Sequence, residues 1–418
     1  IHGTLGVGGL TVLLTLVGCT TEEGEATPEE SPTPPLQTAG CDVVVSPSAD
    51  DYAAVQGAFI DSVAGSVICL TGGTYTFQSE LSSSTSGVTI RGIEGPILDF
   101  SGQISGANGI AITGDDTTIE DLTVLNSAGD GVRATEVNNI TYRGISVIWD
   151  AGPDSENGAY GVYPVSCTGV VIEDCLVSGA SDAGIYVGQS TDILVKDSEV
   201  YGNVAGIEIE NSTDAEVVGN YAHDNTGGIL VFNLPGLEVQ DGKRAKVHNN
   251  RVISNNQSNF APEGNIVSLV PAGTGIMVLA SDSNEFHDNE ITGNQSIGIV
   301  FIAYTEALGL DPSSDPSFDP YPEGNYTHDN TFSGNGTDPK DIALVLQLTL
   351  QLGEPFPSMI WDGCVRPTEE AIAGDGQINC FAENGETLYA NLDLCGELVV
   401  SSDVAPVTCE YTTLPTIE

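Results

Sequence analysis

Tyrosine, carboxylate and amide side chains recur at a regular spacing in the middle of the chain. Tyr163, Tyr186 and Glu208 follow one another at intervals of 23 and 22 residues, with Asp182 and Glu210 close by. Aromatic faces pack against sugar rings, and fixed polar groups bond sugar hydroxyls. The set is therefore typical of a sugar-binding groove, although outward tyrosines also occur on ordinary solvated strands.

Acid–base chemistry on an acidic sugar fits part of this set. Proton abstraction beside a uronate carboxylate needs a base, an acid and a group that neutralises the carboxylate. Tyr163 or Tyr186 offers the base or the acid. Arg133, Asn157 or a bound Ca²⁺ offers the neutralising group.

The carboxylates allow two further roles. Asp182, Glu208 and Glu210 provide hard oxygen ligands for Ca²⁺. Glu208 with Asp182 is also the best pair for hydrolysis of a neutral glycan, which needs two carboxylates roughly 5–10 Å apart. The predicted substrate-binding residues are Arg133, Trp149, Asn157, Gln189, Glu210, Asn211, Phe232 and Asn233.

A glycine followed by Ile or Val recurs along the chain and indicates the elements that position these residues. The intervals are 22, 30, 23, 22, 22, 47 and 23 residues, and the glycines are Gly109, Gly131, Gly161, Gly184, Gly206, Gly228, Gly275 and Gly298. A period near 22 with short β-rich segments predicts one coil of a parallel β-helix per repeat, about ten coils between Cys69 and Phe332. Leucine-rich repeats share the period, but their leucine frame is absent.

Alternation along each glycine strand assigns side chains to the inside or the outside of the coil. The outward column is Arg133, Tyr163, Tyr186, Glu208, Leu230 and Met277, with a second column of Gly188, Glu210 and Phe232. The inward residues include Leu122, Ile145, Ile172, Val195, Ile207 and Ile229. One turn carries a predicted asparagine ladder, formed by Asn220, Asn250, Asn289 and Asn330.

Four coils are longer than the period, at residues 149–160, 233–244, 255–274 and 303–326. Loops often carry function, so the loops with Trp149 and Asn233 are expected to wall a groove around Tyr163, Tyr186 and the carboxylates. The alternative is that these insertions are only tolerated drift.

The N-terminal residues predict export. Residues 3–18 form an uncharged apolar run too short for a typical membrane span, and Leu16-Val17-Gly18-Cys19 resembles a bacterial lipobox. We expect a signal peptide at 1–18, a lipidated Cys19 and a disordered linker at 19–40. A plain secretory signal or an anchor helix is the alternative.

Eight further cysteines favour disulfides in an exported chain. Proximity predicts the pairs Cys41–Cys69, Cys364–Cys380 and Cys395–Cys409, and leaves Cys167 and Cys175 open. We expect the β-helix at 41–354, beginning with a cap helix near 51–63. A disulfide-containing cap or appendage at 355–418 should follow it.

Charge narrows the range of partners. Lys and Arg number 10 against 59 Asp and Glu, a formal net charge of −49. Such a surface repels nucleic acid and anionic lipid, so nucleic acid is excluded and membrane contact is expected only through the N-terminal lipid. A polyanionic glycan is also repelled unless divalent cations bridge it.

Segments 181–190, 204–211 and 227–236, together with the cap and the columns, resemble exported right-handed parallel β-helix proteins of the pectate-lyase-like superfamily. More narrowly, they resemble a family of bacterial β-helix lipoproteins of unknown function, often encoded beside a second exported protein. The resemblance implies an all-β, right-handed solenoid, lipid-anchored to the bacterial cell envelope at the outer membrane or cell surface. An exported protein partner is a further expectation.

The resemblance does not supply a mechanism. The epimerase Asp-Pro-His-Asp is absent, as are the polygalacturonase Asn-Thr-Asp and Gly-His-Gly motifs. Two function classes remain: an enzyme acting on polysaccharide as a lyase or C5-epimerase, less readily a hydrolase, and a non-catalytic surface protein that uses the same groove as a binding site or scaffold.

Overall fold

The computed structural model describes residues 38–305, 309–366, 378–382, 384–385 and 387–417. The predicted signal peptide, Cys19 and the linker up to residue 37 lie outside the described residues. Within the described ranges, no helix is long and apolar enough to cross a membrane.

The described chain winds into a right-handed parallel β-helix whose coils present three faces. The first face contains the strands Ser79–Ser83, Ser105–Ile112, Val132–Thr135, Tyr160–Val165, Ala183–Gly188, Ala205–Glu210, Gly227–Phe232, Thr274–Leu279, Ile297–Ile302, Met359–Trp361 and Tyr389–Asn391. The second face contains Thr117–Glu120, Asn138–Arg143, Thr168–Glu173, Thr191–Lys196, Thr213–Val218, Lys243–His248, Glu285–His287, Tyr326–His328 and Cys380–Ala382. The third face contains Thr123–Leu125, Ser146–Ile148, Leu176–Ser178, Glu199–Tyr201, Tyr221–His223, Arg251–Ile253, Glu290–Thr292 and Thr331–Ser333.

Longer strands close the N-terminal end of the solenoid. Val43–Val45 pairs with Val67–Thr76, which pairs with Thr89–Asp99, and the last strand continues into both the second and the third face. The predicted cap helix runs from Asp51 to Asp61, where Asp50 caps it by accepting the Ala53 N–H at 3.0 Å.

Close approach of neighbouring coils explains the glycine column of the first face. A Cβ at Gly206 would stand 2.5 Å from the carbonyl oxygen of Gly228, and one at Gly184 would stand 2.9 Å from that of Gly206. Real side chains do not tolerate such contacts, so glycine recurs once per coil.

Apolar side chains fill the interior along the whole stack. The inward residues predicted from the alternation, namely Leu122, Ile145, Ile172, Val195, Ile207 and Ile229, are all buried in one continuous cluster. The fold-class prediction is therefore confirmed.

Asparagine ladders satisfy the backbone at the turns. In the predicted ladder, Oδ1 of Asn250 accepts both the backbone N–H and the Nδ2–H of Asn220 at 2.9 and 3.0 Å, and Asn250 repeats the pattern with Asn289. The same ladder extends to Asn384. Two further ladders exist that the sequence reading missed: Asn203, Asn225, Asn255, Asn294 and Asn335 at one turn, and Asn284, Asn325 and Asn379 at the other.

The disulfide predictions are confirmed only at the N-terminal cap. Cys41 bonds Cys69, but the C-terminal pairs are Cys364–Cys395 and Cys380–Cys409, so the two pairings predicted there are wrong. Sequence proximity failed because residues close in sequence lie on different faces of the coil. Cys167 and Cys175 are buried free thiols.

A second α-helix, Asp341–Leu350, was not predicted from the sequence. Ala343, Leu346 and Leu350 pack on the outside of the first face, a spacing that fits one side of a helix. Leu344, Val345 and Leu348 are exposed on the other side. Apolar residues all round the helix hid its periodicity in the sequence.

Candidate functional site

The outward side of the first face brings the predicted columns into register. Tyr163 pairs with Arg133, Tyr186 with Glu208, and Glu208 with Leu230 on consecutive coils. The second column places Glu210 between Gly188 and Phe232. The parity assigned from the sequence therefore brings the predicted tyrosines and carboxylates together.

The 255–274 insertion covers this part of the face. Nδ2 of Asn265 donates to Oδ2 of Asp182 at 3.3 Å, and Val267 and Val270 are buried in one apolar cluster with Tyr186. Glu208 is only 1% exposed and Asp182 only 6%. The expectation that Glu208 faces solvent is therefore wrong, because outward parity does not reveal a loop that folds back over the strand.

Tyrosine hydroxyls pair with carboxyl groups on adjacent coils. The Tyr186 hydroxyl donates to Oε1 of Glu210 at 2.5 Å, and the Tyr160 hydroxyl donates to Oδ2 of Asp182 at 3.4 Å. The rings of Tyr160, Tyr163 and Tyr186 form one cluster, with centroids 4.4–5.0 Å apart. We call the three tyrosines with Asp182, Glu208 and Glu210 the acid–tyrosine cluster.

Burial shifts the proton affinities of the carboxyl groups upward. It raises the pKa of Asp182 to about 7, with the neighbouring Glu210 charge adding to the effect. Burial also raises the pKa of Glu210 to about 7, against the opposing hydrogen bond from Tyr186. For Glu208, burial and then the charges of Asp182 and Glu210 raise the pKa well above its usual range. Asp182 and Glu210 can therefore gain or lose a proton near neutral pH.

The tyrosine hydroxyls differ from the carboxyl groups in their protonation at neutral pH. Burial, followed by the nearby carboxylates, raises the pKa of Tyr160 and Tyr186, so both hydroxyls stay protonated at neutral pH. Of the two roles predicted for a tyrosine, this favours hydrogen-bond donor or acid over base.

Glu208 is the most unusual member of the cluster. Neither carboxyl oxygen has a hydrogen-bond partner among the described residues, and both are buried. A buried charge without a partner is costly, which agrees with a Glu208 that holds its proton.

One edge of the cluster reaches solvent through half-buried side chains. The Arg133 guanidinium lies 4.8 Å over the Tyr163 ring, and its Nη1 is 3.7 Å from Oδ2 of Asp130. Nε2 of Gln189 is 3.4 Å from Oε1 of Glu210. Arg133, Tyr163 and Gln189 are thus the predicted site residues that a ligand can reach from this edge.

Other predicted binding residues have structural contacts instead. Trp149 is buried in the solenoid core, where its Nε1–H donates to the Ser127 carbonyl at 2.8 Å, so its placement on a groove wall is wrong. The amide of Asn157 donates to the Gly152 and Gly179 carbonyls. Trp149 follows a third-face strand by one residue and keeps the inward parity of Val147.

Asn211 and Asn233 hold the 233–244 insertion in place. Nδ2 of Asn211 donates to the Leu234 and Val239 carbonyls, and Nδ2 of Asn233 donates to the Gly242 and Ala280 carbonyls. Phe232 is buried beneath the covering loops. The side-chain amide nitrogens of Asn211 and Asn233 are therefore occupied by backbone carbonyls and are not free to bind a ligand.

The predicted Ca²⁺ site can be compared with the arrangement of possible metal ligands in the structure. Across the part of the chain that the structure describes, no group of three or more His, Cys, Asp or Glu side chains is arranged to hold a metal ion. The Ca²⁺ site suggested for Asp182, Glu208 and Glu210 stays a prediction.

Two residues of the site were missed in the sequence. Tyr160 pairs in register with Ala183, which pairs with Ala205, and Ala205 pairs with Gly227. A bulky residue at the head of this column of small residues was the signal that pointed to Tyr160. Asn265 gave no signal, because its contact with Asp182 depends on how a 20-residue insertion folds.

The free energy of unfolding is expected to fall as pH rises from about 4 to about 7. Asp182 and Glu210 bind protons more tightly in the folded state than in the unfolded chain, so their stabilising contribution is full below pH 4 and is lost through about pH 7. Urea unfolding of Glu210→Gln should show a shallower fall, by on the order of a few kcal/mol. Glu290→Gln, an exposed third-face control, should keep the wild-type slope. Equal slopes in all three proteins would contradict the assignment.

Comparison with known proteins agrees with the fold. Residues 97–234 match the family model described as a right-handed beta helix region. No curated protein sequence matches the chain.

Solved structures with a similar chain path include three polysaccharide-acting enzymes. The A-module of a mannuronan C-5 epimerase from Azotobacter vinelandii has a TM-score of 0.46 and 17% identity over 72% of this chain and 87% of that one. A Thermotoga maritima exopolygalacturonase gives 0.48 and 9% over 76% and 82%. An alginate lyase from a Paenibacillus species gives 0.44 and 15% over 70% and 94%. At these identities, no residue role is transferred from them.

Proposed function

We propose that the outward first face binds a polysaccharide at the acid–tyrosine cluster and processes it by acid–base chemistry. The observation that carries the proposal is the pairing of two tyrosine hydroxyls with two carboxyl groups on adjacent coils, Tyr186 with Glu210 and Tyr160 with Asp182. Aromatic rings beside hydrogen-bonded carboxyls suit both sugar packing and proton transfer.

The proposed chemistry is that of a lyase or a C5-epimerase. Asp182 or Glu210, ionised near neutral pH, removes the proton beside a uronate carboxylate. Arg133 at the open edge, with or without a bridging Ca²⁺, neutralises that carboxylate. In a lyase reaction the bond from C4 to the glycosidic oxygen then breaks, and Tyr186 donates its proton to the departing oxygen; in an epimerase reaction Tyr186 returns a proton to C5 from the opposite side of the ring.

A non-catalytic binding role is the second candidate, and burial favours it. Asp182, Glu208 and Glu210 are all nearly inaccessible beneath the 255–274 insertion. A substrate bound only at Arg133, Tyr163 and Gln189 would be held without reaching the carboxyl groups. The protein would then act as a surface receptor or scaffold for a glycan, together with an exported protein partner.

Cellular placement is part of the proposal. The lipobox-like residues before Cys19 support export and lipid anchoring to the bacterial cell envelope, at the outer membrane or cell surface. Mass spectrometry of the protein purified from its cells should find a diacylglyceryl group on an N-terminal Cys19. An unmodified chain that retains residues 1–18 would contradict the anchor.

An activity screen tests the catalytic proposal. Uronate and neutral polysaccharides are incubated with wild-type protein, with and without Ca²⁺. Unsaturated products are read at 235 nm, epimerisation by proton NMR and hydrolysis by reducing ends. We expect turnover of a uronate polymer and at least about a hundredfold loss in Glu210→Gln, which removes an acid–base group.

The exposed third-face variant Glu290→Gln is the control and should turn over at the wild-type rate. Turnover that survives in Glu210→Gln would contradict the assigned site. Binding without turnover in wild-type protein would favour the non-catalytic candidate.

A further inference from the structure

An apolar pocket lies on the first face, on coils that follow the acid–tyrosine cluster. Its volume is about 150 Å³. Phe232, Met277 and Leu279 form its floor, Val270 and Leu269 line it from the 255–274 insertion, and Ile342 lines it from the second helix.

The register shows why the face turns apolar at this point. The column that holds Glu210 continues through Phe232, Leu279 and Ile302 on successive coils. The neighbouring column continues from Glu208 through Leu230 and Met277. The polar half of this surface therefore borders the apolar half, and the change takes place between one coil and the next.

Four parts of the chain build the pocket walls. The first-face strands, the 255–274 insertion, Leu310 of the 303–326 insertion and the helix Asp341–Leu350 each contribute apolar side chains. Leu269 and Ile342 stand at the rim, where they are 49% and 41% exposed. Large apolar side chains at an open rim give an uncharged molecule a path into the space between the segments.

Electrostatics and size limit what can enter. Among the described residues, those that line the pocket carry no charge, and the whole sequence carries a formal net charge of −49. An anion is repelled, and a cation would lose its hydration without gaining a partner. An apolar pocket of about 150 Å³ accommodates a molecule of about the size of benzene.

We propose that this pocket binds an uncharged hydrocarbon group, of about the size of a benzene ring, at the end of a small-molecule ligand. The affinity comes from dispersion contacts between the ligand and the mostly apolar walls. It also comes from the release of water that such walls bind only weakly. The proposal does not depend on polysaccharide chemistry at the acid–tyrosine cluster.

Methionine NMR tests the proposal with benzene as the probe. The chain contains two methionines, Met277 in the pocket and Met359 on the inner side of a later coil. In protein labelled with methyl-¹³C methionine, benzene should move the Met277 signal saturably, and any shift at Met359, which lines a separate pocket, should follow its own binding curve. A Met359→Leu variant assigns the two signals.

Variants that fill the pocket complete the test. Leu279→Phe and Ile302→Phe should weaken benzene binding by at least about tenfold. Leu348→Phe, the same change at an exposed helix position, should bind as wild type. An unchanged Met359 signal reports that each variant is folded, and if Leu279→Phe disturbs it, Ile302→Phe decides.

Two results would overturn the inference. These are no saturable shift at Met277 up to the solubility limit of benzene, or wild-type affinity in a folded pocket-filled variant.

Discussion

Replacing Ile207 with Asp is expected to destabilise the solenoid by at least about 4 kcal/mol. Ile207 is fully buried between Ile185 and Ile229, its partners on the adjacent coils. The carboxylate would lose its hydration and meet only apolar side chains. Because each coil is supported by its neighbours, a defect in the middle of the stack should lower the stability of the whole array. Urea unfolding followed by circular dichroism measures the effect.

Ser333→Asp is the matched control, since it places the same side chain at an exposed position of the third face. It should change stability by less than about 0.5 kcal/mol. If Ile207→Asp behaved like the control, the assignment of Ile207 to the interior would be wrong.

Asn250→Asp is expected to destabilise the protein by about 3–4 kcal/mol. The Asn250 amide donates to the Val217 carbonyl at 2.8 Å and to Oδ1 of Asn289 at 3.0 Å. A carboxylate of the same shape removes both donors and sets negative oxygen atoms against two acceptors in a buried turn. Thermal and urea unfolding at neutral pH measure the loss.

The neighbouring residue provides the control. Asn249→Asp makes the same chemical change at an exposed turn position with a φ of 52°, which aspartate also adopts readily. It should cost less than about 1 kcal/mol. A similar loss in both variants would mean that the ladder contributes no more than ordinary turn propensity.

The spacing of the repeat accounts for most of the fold. In a solenoid, a residue contacts the residue one coil away, so spacing along the chain translates directly into register. This is why the interior position of Ile207 and the alignment of Tyr186 with Glu208 were both predictable. The second asparagine ladder was also within reach, because Asn225 and Asn255 each follow a member of the predicted ladder by five residues.

Features that depend on insertions and long-range docking were not predictable in this way. The parity of Glu208 was right, but part of the covering of this face comes from the 255–274 insertion, which has no period to read: Asn265 bonds Asp182, and Val267 and Val270 share an apolar cluster with Tyr186. The Cys364–Cys395 and Cys380–Cys409 pairs likewise depend on how the chain crosses between faces after the regular repeat ends. Loop conformation, unlike coil register, is not set by a repeated spacing.

The half-buried position of the acid–tyrosine cluster affects how the function should be tested. A ligand can reach the half-buried Tyr163 and Arg133 without any movement, whereas Glu208 is almost completely buried. Binding therefore tests the location of the site more directly than turnover does.

Calorimetric titration with uronate and neutral oligosaccharides, on wild-type protein, Tyr163→Ala and Tyr201→Ala, is the most direct test. Tyr201 is a half-buried tyrosine on the third face, so Tyr201→Ala removes the same type of side chain at a position away from the site. We predict that wild type and Tyr201→Ala bind an oligosaccharide with equal affinity, and that Tyr163→Ala binds it about five- to tenfold more weakly, from the loss of about 1 kcal/mol of ring contact. Equal affinity in Tyr163→Ala and wild type, or no binding of any oligosaccharide by wild type, would contradict a glycan site on the first face.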